Sequence, residues 1–219
     1  MDTIEEYILQ HIDPEDELLS ALYRETHLTQ INPRMASGHI QGCVLAMLCR
    51  MIKPRRILEL GTFTGYSALC MAETLPEDAE LHTIEIDDEM EPVIRRYFGQ
   101  SPHGSKIHLH IGDSLTIIPT LEGEFDLVFM DADKRQYMED YEAILPLVSS
   151  GGFILADNTL WGGKVLEEPA SGDKMTAGIQ RFNRYIAADK RVEKAILPIR
   201  DGLTLLMKKP YPASPKVRG

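Results

Sequence analysis

From about residue 55 onward, short apolar runs of the chain alternate with longer amphipathic runs. The short runs predict strands at 56–60, 80–86, 106–111, 125–130 and 152–157. The longer runs place apolar residues at helical spacing. Strand–helix alternation produces right-handed βαβ units, and these form a parallel sheet that is covered on both faces. The sequence therefore predicts an α/β fold with a doubly wound sheet.

The two ends of the chain extend this core. After a helix predicted around 175–188, "VEKAILPI" and "GLTLLMKK" predict two strands joined by "RDG", a hairpin that adds an antiparallel strand. Before residue 55, two or three amphipathic helices are expected, with a break at "INPR". We treat 1–219 as one domain, with N-terminal helices in 1–54, the sheet core in 55–209 and a tail in 210–219.

Charge and composition narrow the range of partners. A net charge of −11 argues against nucleic acid and against an anionic membrane surface, since both need clustered Lys and Arg. We find no apolar run close to the roughly 18 residues of a membrane span, and the acidic N-terminus is unlike a signal peptide. The three cysteines form no CxxC motif and read as reduced core thiols of a cytoplasmic protein. A small-molecule partner is the expectation.

The stretch "FDLVFMDADKRQY", residues 125–137, places charge at the end of a predicted buried strand. A sheet wound outward from its first strand has the order 3-2-1-4-5, and its ligand binds outside the carboxyl ends of the first and fourth strands. Asp131, Asp133 and Lys134 follow the fourth strand directly, where stability alone does not favour them. We therefore expect these side chains to serve function.

The first strand ends in "LELGTFTGYS", in which Gly61 and Gly65 permit a tight turn before a helix. Phe63 replaces the glycine that admits a pyrophosphate in dinucleotide sites. Glu85, at the end of the second strand, could bind ribose hydroxyls, and Glu59 could hold an ammonium group. An amino acid joined to a nucleoside, such as S-adenosylmethionine, has both features. The alternative is that the glycines only shape a turn and Glu85 is solvated.

Asp131, Asp157 and Asn158 offer oxygen ligands at the ends of adjacent predicted strands. All-oxygen ligation favours Mg²⁺, Mn²⁺ or Ca²⁺ and disfavours zinc. The alternative is that Asp157 and Asn158 cap a turn while Asp131 pairs with Lys134. The coincidence of both motifs at neighbouring strand ends favours a metal site.

Lys134 is a candidate general base. An ammonium group beside a bound cation gives up its proton more readily, and a neutral amine can accept one. The alternative is a surface ion pair of Lys134 with Asp131 or Asp133, which is common and weak.

The segments "ELGTFTGYSAL", "FDLVFMDADKRQY" and "LADNTLWGGKV" resemble the cation-dependent O-methyltransferases of the caffeoyl-CoA and catechol type. The similarity runs from about Met35 to Lys209. It implies a seven-stranded Rossmann-like methyltransferase sheet of order 3-2-1-4-5-7-6 with the seventh strand antiparallel. It also implies a homodimer, a phenolic small-molecule acceptor and a divalent cation, with Mg²⁺ favoured.

The resemblance assigns roles to individual residues. Asp131, Asp157 and Asn158 would hold the metal. The contacts to S-adenosylmethionine would come from Glu59, Gly61, Ser67, Glu85, Ser114 (to adenine), Asp131 and Asp133 (to the amino group). Met35 and Ser37, in "MASGHIQG", match a segment that closes over the cofactor, and the resemblance places Ser37 near the metal and the substrate. Trp161 could form the floor beneath an aromatic acceptor.

Three functions remain open at this stage. The leading hypothesis is methylation of one hydroxyl of a vicinal aromatic diol, with Lys134 taking the proton. The second replaces the acceptor with a hydroxylated tRNA base, and the third is a cofactor-binding protein without catalysis. The loop from Gly162 to Ala177 is shorter than in plant caffeoyl-CoA enzymes, which leaves the acceptor undetermined. His108 and His110 read as a solvent-facing or half-buried pair on an edge strand, with metal binding as the lesser alternative.

Overall fold

The computed structural model describes residues 3–210, so all but the first residue of the predicted tail lies outside the described residues. Within this range the chain forms eight α-helices and seven strands. The helices are α1 (Ile4–Leu9), α2 (Glu17–Thr29), α3 (Gly38–Ile52), α4 (Tyr66–Ala72), α5 (Glu91–Gln100), α6 (Ser114–Ile117), α7 (Tyr137–Ile144) and α8 (Lys174–Ala188). The strands are β1 (Arg56–Leu60), β2 (Glu80–Glu85), β3 (Ile107–Ile111), β4 (Phe125–Met130), β5 (Val148–Asp157), β6 (Val192–Leu197) and β7 (Leu203–Lys208).

The seven strands form one mixed sheet in the order β3-β2-β1-β4-β5-β7-β6. The pairs β2–β3, β1–β4 and β4–β5 are parallel, whereas β7 runs antiparallel to both β5 and β6. The predicted α/β class, the strand order and the antiparallel seventh strand are therefore confirmed. β6 and β7 form the hairpin that the "RDG" turn indicated, and β7 lies between β5 and β6, as the family resemblance implied.

Two of the boundaries that differ from the prediction do so for local reasons. β5 begins at Val148, four residues before the predicted start, and its pairing with β4 shifts register between Phe125 and Leu127. The first half of this strand contains the polar and small residues "SSGG", so it forms no apolar run and was not predicted as strand. One of the longer amphipathic runs, "DSLTIIPTL" at 113–121, forms only the short helix α6, which stops at Ile117 because Pro119 lacks the N–H that would continue it. A 3-10 turn follows.

Of the described residues, 3–55 and 61–113 form one compact unit, and 56–60 with 114–210 form a second. In the first unit, α3 packs closely on α4. A Cβ atom at Gly42 would lie 2.7 Å from Sγ of Cys70, so only glycine allows this approach. The sequence analysis found no apolar run long enough to span a membrane. The helical stretch Pro33–Ile52 is nevertheless long and apolar enough to do so. Its buried residues lie on the face towards α4, as in a core helix.

The histidines of the first unit lie on the paired strands β2 and β3. β3 is the edge strand of the sheet, and its His108 is exposed while His110 is half-buried, as the sequence predicted. Burial lowers the pKa of His82 on β2 and of His110, so both imidazoles are neutral at pH 7. The side chains of His82, His108 and His110 form one cluster.

In the second unit, the strands β1 and β4 are almost completely buried, as is the carboxyl half of β5. Helix α8 packs against α7, where Tyr137 and Tyr141 meet the ring of Phe182 edge-on. A Cβ atom at Gly178 of α8 would lie 2.4 Å from the carbonyl oxygen of Lys134. Glycine at this position therefore brings α8 against the backbone of the segment that follows β4.

Candidate active site

The polar cluster of the second unit begins at the carboxyl ends of β4 and β5. Met130 is in register with Ala156, so Asp131 and Asp157 leave the same edge of the sheet side by side. The backbone N–H of Asp131 donates to the carbonyl of Leu60 at 2.8 Å, which continues the pairing with β1 by one residue. Asp157 is 4% exposed. The parallel register thus brings both carboxylates together, as the sequence predicted for neighbouring strand ends.

Asn158 turns the chain away from β5. Its φ of 57° lies in the left-handed region, which asparagine tolerates better than most residues. The residue is half-buried and follows Asp157 directly. Its amide oxygen therefore comes from the end of β5, like the carboxylate of Asp157 and beside the end of β4 that carries Asp131.

Lys134 is buried beside Asp131. Its Nζ donates to Oδ1 of Asp131 at 2.6 Å and to the hydroxyl of Tyr137 at 2.7 Å. The side chains of Lys134 and Asp131 are 8% and 18% exposed. The ion pair considered as the alternative role of Lys134 is therefore formed, but it is not a surface pair. Buried charges are costly unless they are paired, so this ammonium is held in one place.

Tyr137 completes the cluster, and the sequence analysis did not assign it a role. Its hydroxyl also lies 3.0 Å from the carbonyl oxygen of Met130 and 3.1 Å from that of Asp157. Burial raises the pKa of the phenol far above its usual value, and nearby Asp131 and Asp157 add to the effect. The phenol therefore stays protonated, donates to the strand-end carbonyls and accepts from Lys134. Its position three residues after Lys134, on the first turn of α7, was the available signal.

The donor atoms at the ends of β4 and β5 fit a hard divalent cation. Two carboxylates and an amide oxygen, from Asp131, Asp157 and Asn158, match the ligands that Mg²⁺, Mn²⁺ and Ca²⁺ prefer. Oδ1 of Asp131 already accepts from Lys134, which leaves further lone pairs on the same carboxylate. The chemistry of this set therefore agrees with the sequence-based metal prediction.

Two residues predicted to contact the cofactor are engaged within the second unit. Arg135 donates from Nε to both oxygens of Asp133, at 2.9 and 2.8 Å, and these hydrogen bonds lower the pKa of that carboxyl. Ser114 donates to Oδ1 of the buried Asp140 at 2.7 Å, and Gln136 donates to Ser114 at 3.1 Å. Their predicted contacts to the amino group and to adenine would add to these bonds.

Two further predicted residues lie in the second unit. Glu59 is completely buried in β1. Trp161 is half-buried and has a φ of 49°. Its backbone N–H donates to the carbonyls of Asn158 and Asp201 at 3.2 and 3.1 Å, and these bonds stabilise this conformation. The turn after β5 thus fixes the backbone from which the indole ring projects.

The first unit contains the glycine-bearing turn and Glu85. The N–H groups of Gly61 and Thr62 donate to the carbonyl of Ile84 at 3.0 and 3.2 Å, which holds the turn against the end of β2. Glu85 is 7% exposed and accepts from the N–H of Phe63 at 2.6 Å and of Asp87 at 2.9 Å. The alternative in which Glu85 is solvated is therefore wrong.

Burial raises the pKa of the Glu85 carboxyl above its usual value, although the two backbone hydrogen bonds partly offset the effect. Each oxygen of the carboxylate keeps a lone pair beyond the backbone bond that it accepts. A buried carboxylate with these two lone pairs can accept hydrogen bonds from both hydroxyls of a diol. This is consistent with the predicted ribose contact.

The remaining residues predicted to bind the cofactor also lie in the first unit. Ser67, on the first turn of α4, is buried. Met35 is 58% exposed at the end of a 3-10 turn, whereas Ser37 is buried just before α3. The hydroxyls of Thr26 on α2 and Thr64 in the glycine-bearing turn lie 3.0 Å apart, so the N-terminal helices contact this turn directly.

Comparison with known proteins shows the family to which the chain belongs. The family model described as O-methyltransferase matches residues 10–209. A caffeoyl-CoA O-methyltransferase of Stellaria longipes is 34% identical over 78% of this chain and 75% of its own length. A catechol O-methyltransferase of Niastella koreensis is 32% identical over 90% of each chain.

The fold is likewise that of solved relatives. The O-methyltransferase TomG of Streptomyces achromogenes, involved in tomaymycin synthesis, was solved in complex with S-adenosylmethionine. It is 31% identical, with a TM-score of 0.87 over 94% of this chain and 96% of that chain. The chain therefore belongs to the S-adenosylmethionine-dependent O-methyltransferases of the caffeoyl-CoA and catechol type.

Proposed function

We propose that this enzyme methylates one hydroxyl of a vicinal aromatic diol and that it requires a divalent cation. In this reaction the bond between sulfur and the methyl group breaks, the bond between oxygen and the methyl group forms, and the hydroxyl proton leaves. The observation that carries the proposal is the buried Lys134, held 2.6 Å from Asp131 and 2.7 Å from Tyr137 where β4 ends. A lysine kept this close to strand-end carboxylates is placed for proton transfer.

Lys134 is the proposed general base. Tyr137 and Asp131 fix the position of its Nζ, so the side chain need not search for its acceptor. When the amine is neutral, its lone pair can take the proton of the reacting hydroxyl, and Asp131 then stabilises the ammonium that forms. Burial strengthens this stabilisation, because water screens the pair only weakly.

Asp131, Asp157 and Asn158 are the residues that would hold the cation. A bound divalent cation would supply positive charge that makes a nearby hydroxyl more acidic and would orient the diol. Mg²⁺ is the ion that we favour, and Mn²⁺ or Ca²⁺ would fit the same oxygen donors. Within this set, Asp157 contributes a buried carboxylate from a rigid strand end.

For the methyl donor, the proposed contacts are assigned by residue. In the first unit, Glu85 would bind the ribose hydroxyls, while Gly61, Ser67 and Met35 would contact the remainder of the molecule. In the second unit, Glu59, Asp131, Asp133 and Ser114 keep the roles that the resemblance gave them. Of these, the Glu85 contact is the best supported, since its carboxylate is buried and oriented by two backbone N–H groups.

A phenolic acceptor is favoured over a nucleic acid. Three basic residues, Lys53, Arg55 and Arg56, could form a phosphate-binding patch. Of these, Arg55 pairs with Asp78. Arg56 donates to the carbonyls of Glu122 and Glu124 and lies over the ring of Phe125. Two of the three cations are thus engaged locally, which adds to the argument from a net charge of −11. Trp161 and Ser37 are the proposed acceptor contacts.

The oligomeric state and the cellular location stay predictions. Met47 and Met51 of α3 are 54% and 71% exposed, and Ile4 and Tyr7 of α1 are also exposed, so this apolar face is the proposed homodimer contact. Light scattering of the purified protein would test it. A cytoplasmic location rests on cysteine usage alone.

A methyl-transfer screen tests the proposed function. Catechol, caffeoyl-CoA and unmodified tRNA would each be incubated with radiolabelled S-adenosylmethionine, with and without EDTA. We expect label in one of the two diols, its loss in EDTA and its recovery with excess Mg²⁺ or Mn²⁺. Undiminished transfer in EDTA would reject the metal requirement, and label in tRNA alone would reject the acceptor class.

A further inference from the structure

The first unit contains a second group of metal-binding side chains, on the paired strands β2 and β3. The parallel register sets His82 opposite His108 and Ile84 opposite His110. Because side chains alternate between the two faces of a sheet, His82, His108 and His110 project from the same face. Glu80, two residues before His82, projects from it as well. Pairing at the edge of the sheet therefore gathers three imidazoles and one carboxylate.

Two of the distances within this group are close to those between the ligands of one metal ion. Nε2 of His82 lies 3.3 Å from Oε1 of Glu80, and Nε2 of His108 lies 3.6 Å from Oε2 of the same carboxylate. One ligand atom from each of the three residues lies within 4.8 Å of the other two. Tetrahedral zinc, with bonds of about 2.0–2.1 Å, holds its ligand atoms roughly 3.4 Å apart. The His108 side chain is 48% exposed and can rotate to close the remaining gap.

His110 orients His82 within the group. Nδ1 of His82 lies 3.0 Å from Nε2 of His110, and the two rings are stacked at 5.3 Å. If His82 donates from Nδ1 to His110, the lone pair on its Nε2 points towards Glu80. Histidine ligands in metalloproteins commonly donate their second ring nitrogen in this way, and the bond fixes the ring orientation.

We infer that Glu80, His82 and His108 bind a divalent ion of the zinc class, with a fourth position open to water. Two imidazoles and one carboxylate favour Zn²⁺, Ni²⁺ or Cu²⁺ over Mg²⁺ and Ca²⁺. The site shares no residue with Asp131, Asp157 and Asn158, and the inference does not depend on the proposed function. Its ligands come from two adjacent strands, so the ion would fasten the edge strand β3 to β2. Without the ion, Nε2 of His82 would carry the ring proton and donate a hydrogen bond to the carboxylate of Glu80.

Calorimetric titration of the full chain with zinc chloride tests the inference. Excess Mg²⁺ would be present throughout, to occupy any site that takes a hard cation. The parent chain should bind one Zn²⁺ that His108→Ala loses or binds at least about tenfold more weakly, on the scale expected for a lost contact to a metal. His27→Ala is the matched control, because His27 is an exposed histidine of the same unit, on α2. It should bind Zn²⁺ like the parent.

Two further measurements distinguish the loss of a metal ligand from the misfolding of a variant. Co²⁺ in place of Zn²⁺ should give the intense visible absorption of a tetrahedral ion in the parent and in His27→Ala, and lose it in His108→Ala. Saturating Zn²⁺ should raise the melting temperature of the parent by about 5 °C or more, since the ion binds only the folded chain. Glu80→Gln should reduce both effects. Equal Zn²⁺ affinity and stoichiometry in His108→Ala, Glu80→Gln and the parent would overturn the inference.

Discussion

Tyr137 accepts a hydrogen bond from the ammonium group of Lys134 at 2.7 Å. Its own hydroxyl donates to the carbonyl oxygens of Met130 and Asp157. One buried phenol thus ties the proposed base to the ends of both strands that carry the proposed metal ligands. The position of Lys134 is therefore set by the sheet as well as by Asp131. This arrangement leads to predictions about residues that would touch neither substrate.

Tyr137→Phe should lower kcat at least about fivefold, because Lys134 loses one of the two groups that hold its Nζ. The free energy of unfolding should fall by about 1–3 kcal/mol, the cost of leaving buried hydrogen-bond partners unsatisfied. Steady-state kinetics and urea denaturation measure the two effects.

Tyr141→Phe is the matched control for this variant. Tyr141 is also fully buried on α7 and packs on Phe182, but its hydroxyl donates to Asp189 at 2.9 Å. It should lose comparable stability while keeping its kcat. If both variants lose kcat equally, the role of Tyr137 is structural only.

Gly178→Ala should impair catalysis through the backbone. The new methyl group would lie 2.4 Å from the carbonyl oxygen of Lys134, so α8 or the segment after β4 must move. We expect kcat to fall with KM for S-adenosylmethionine little changed, and the melting temperature to drop. Gly99→Ala on α5 has nothing within 4 Å and should slightly stabilise the protein, since alanine favours a helix. An active Gly178→Ala enzyme would show that Lys134 tolerates displacement.

Glu85→Ala should weaken S-adenosylmethionine binding by about 1.5–3 kcal/mol, roughly 10- to 150-fold in Kd, the range of hydrogen bonds to a charged group. Glu85→Gln, which retains one oxygen for the Phe63 N–H, should lie between this variant and the parent. Glu91→Ala removes an exposed carboxylate that pairs with Arg95, and it should leave Kd unchanged. Calorimetry that gives the same Kd for Glu85→Ala and the parent would remove Glu85 from the cofactor site.

The sequence predicted the parts of the molecule that follow from periodicity and strand register. Alternation of apolar runs gave the sheet, and the ends of its strands located Asp131 and Asp157. It did not reveal that Lys134 would be buried, because that depends on how closely α8 approaches at Gly178. Tyr137 was overlooked because a tyrosine on the first turn of a helix is usually a packing residue of the hydrophobic core. His82 was overlooked because its histidine partners, His108 and His110, are 26 and 28 residues away and meet it only through the register of β2 and β3.

Acid should destabilise the second unit through Asp189. Burial acts to raise the pKa of this carboxyl, but hydrogen bonds from Arg191 and Tyr141 outweigh it and lower the pKa to about 2. Because the pKa is lower in the folded state than its ordinary value of 3.8, the ionised carboxylate stabilises the protein above that value. This contribution, about 2 kcal/mol at most, is lost as the pH falls towards 2.

Urea denaturation of the parent and Asp189→Asn measures this effect. The difference in free energy of unfolding should be largest at neutral pH and should shrink steadily below pH 3.8. A difference that does not change between neutral pH and pH 3 would mean that Asp189 stabilises the fold through hydrogen bonds that do not depend on its charge.

If Lys134 takes the proton of the acceptor, the effect of removing it should depend on the acidity of that acceptor. Lys134→Ala should lower kcat by at least about a hundredfold with catechol, within the range for loss of a general base. Because Lys134 is buried, some of that loss could come from disturbed packing, so the decisive quantity is the ratio between two acceptors measured in one variant. Lys134→Arg should not restore activity, since a guanidinium cannot accept a proton near neutral pH.

The measurement is kcat for catechol and for a nitrocatechol in the parent and in Lys134→Ala. The nitrocatechol is already ionised at neutral pH and needs no base, whereas damage to packing affects both acceptors alike. We predict that the deficit of Lys134→Ala shrinks by about tenfold or more with the nitrocatechol, as expected when a general base is no longer needed. An equal deficit with both acceptors, or full activity in Lys134→Arg, would contradict the assignment of Lys134 as the base.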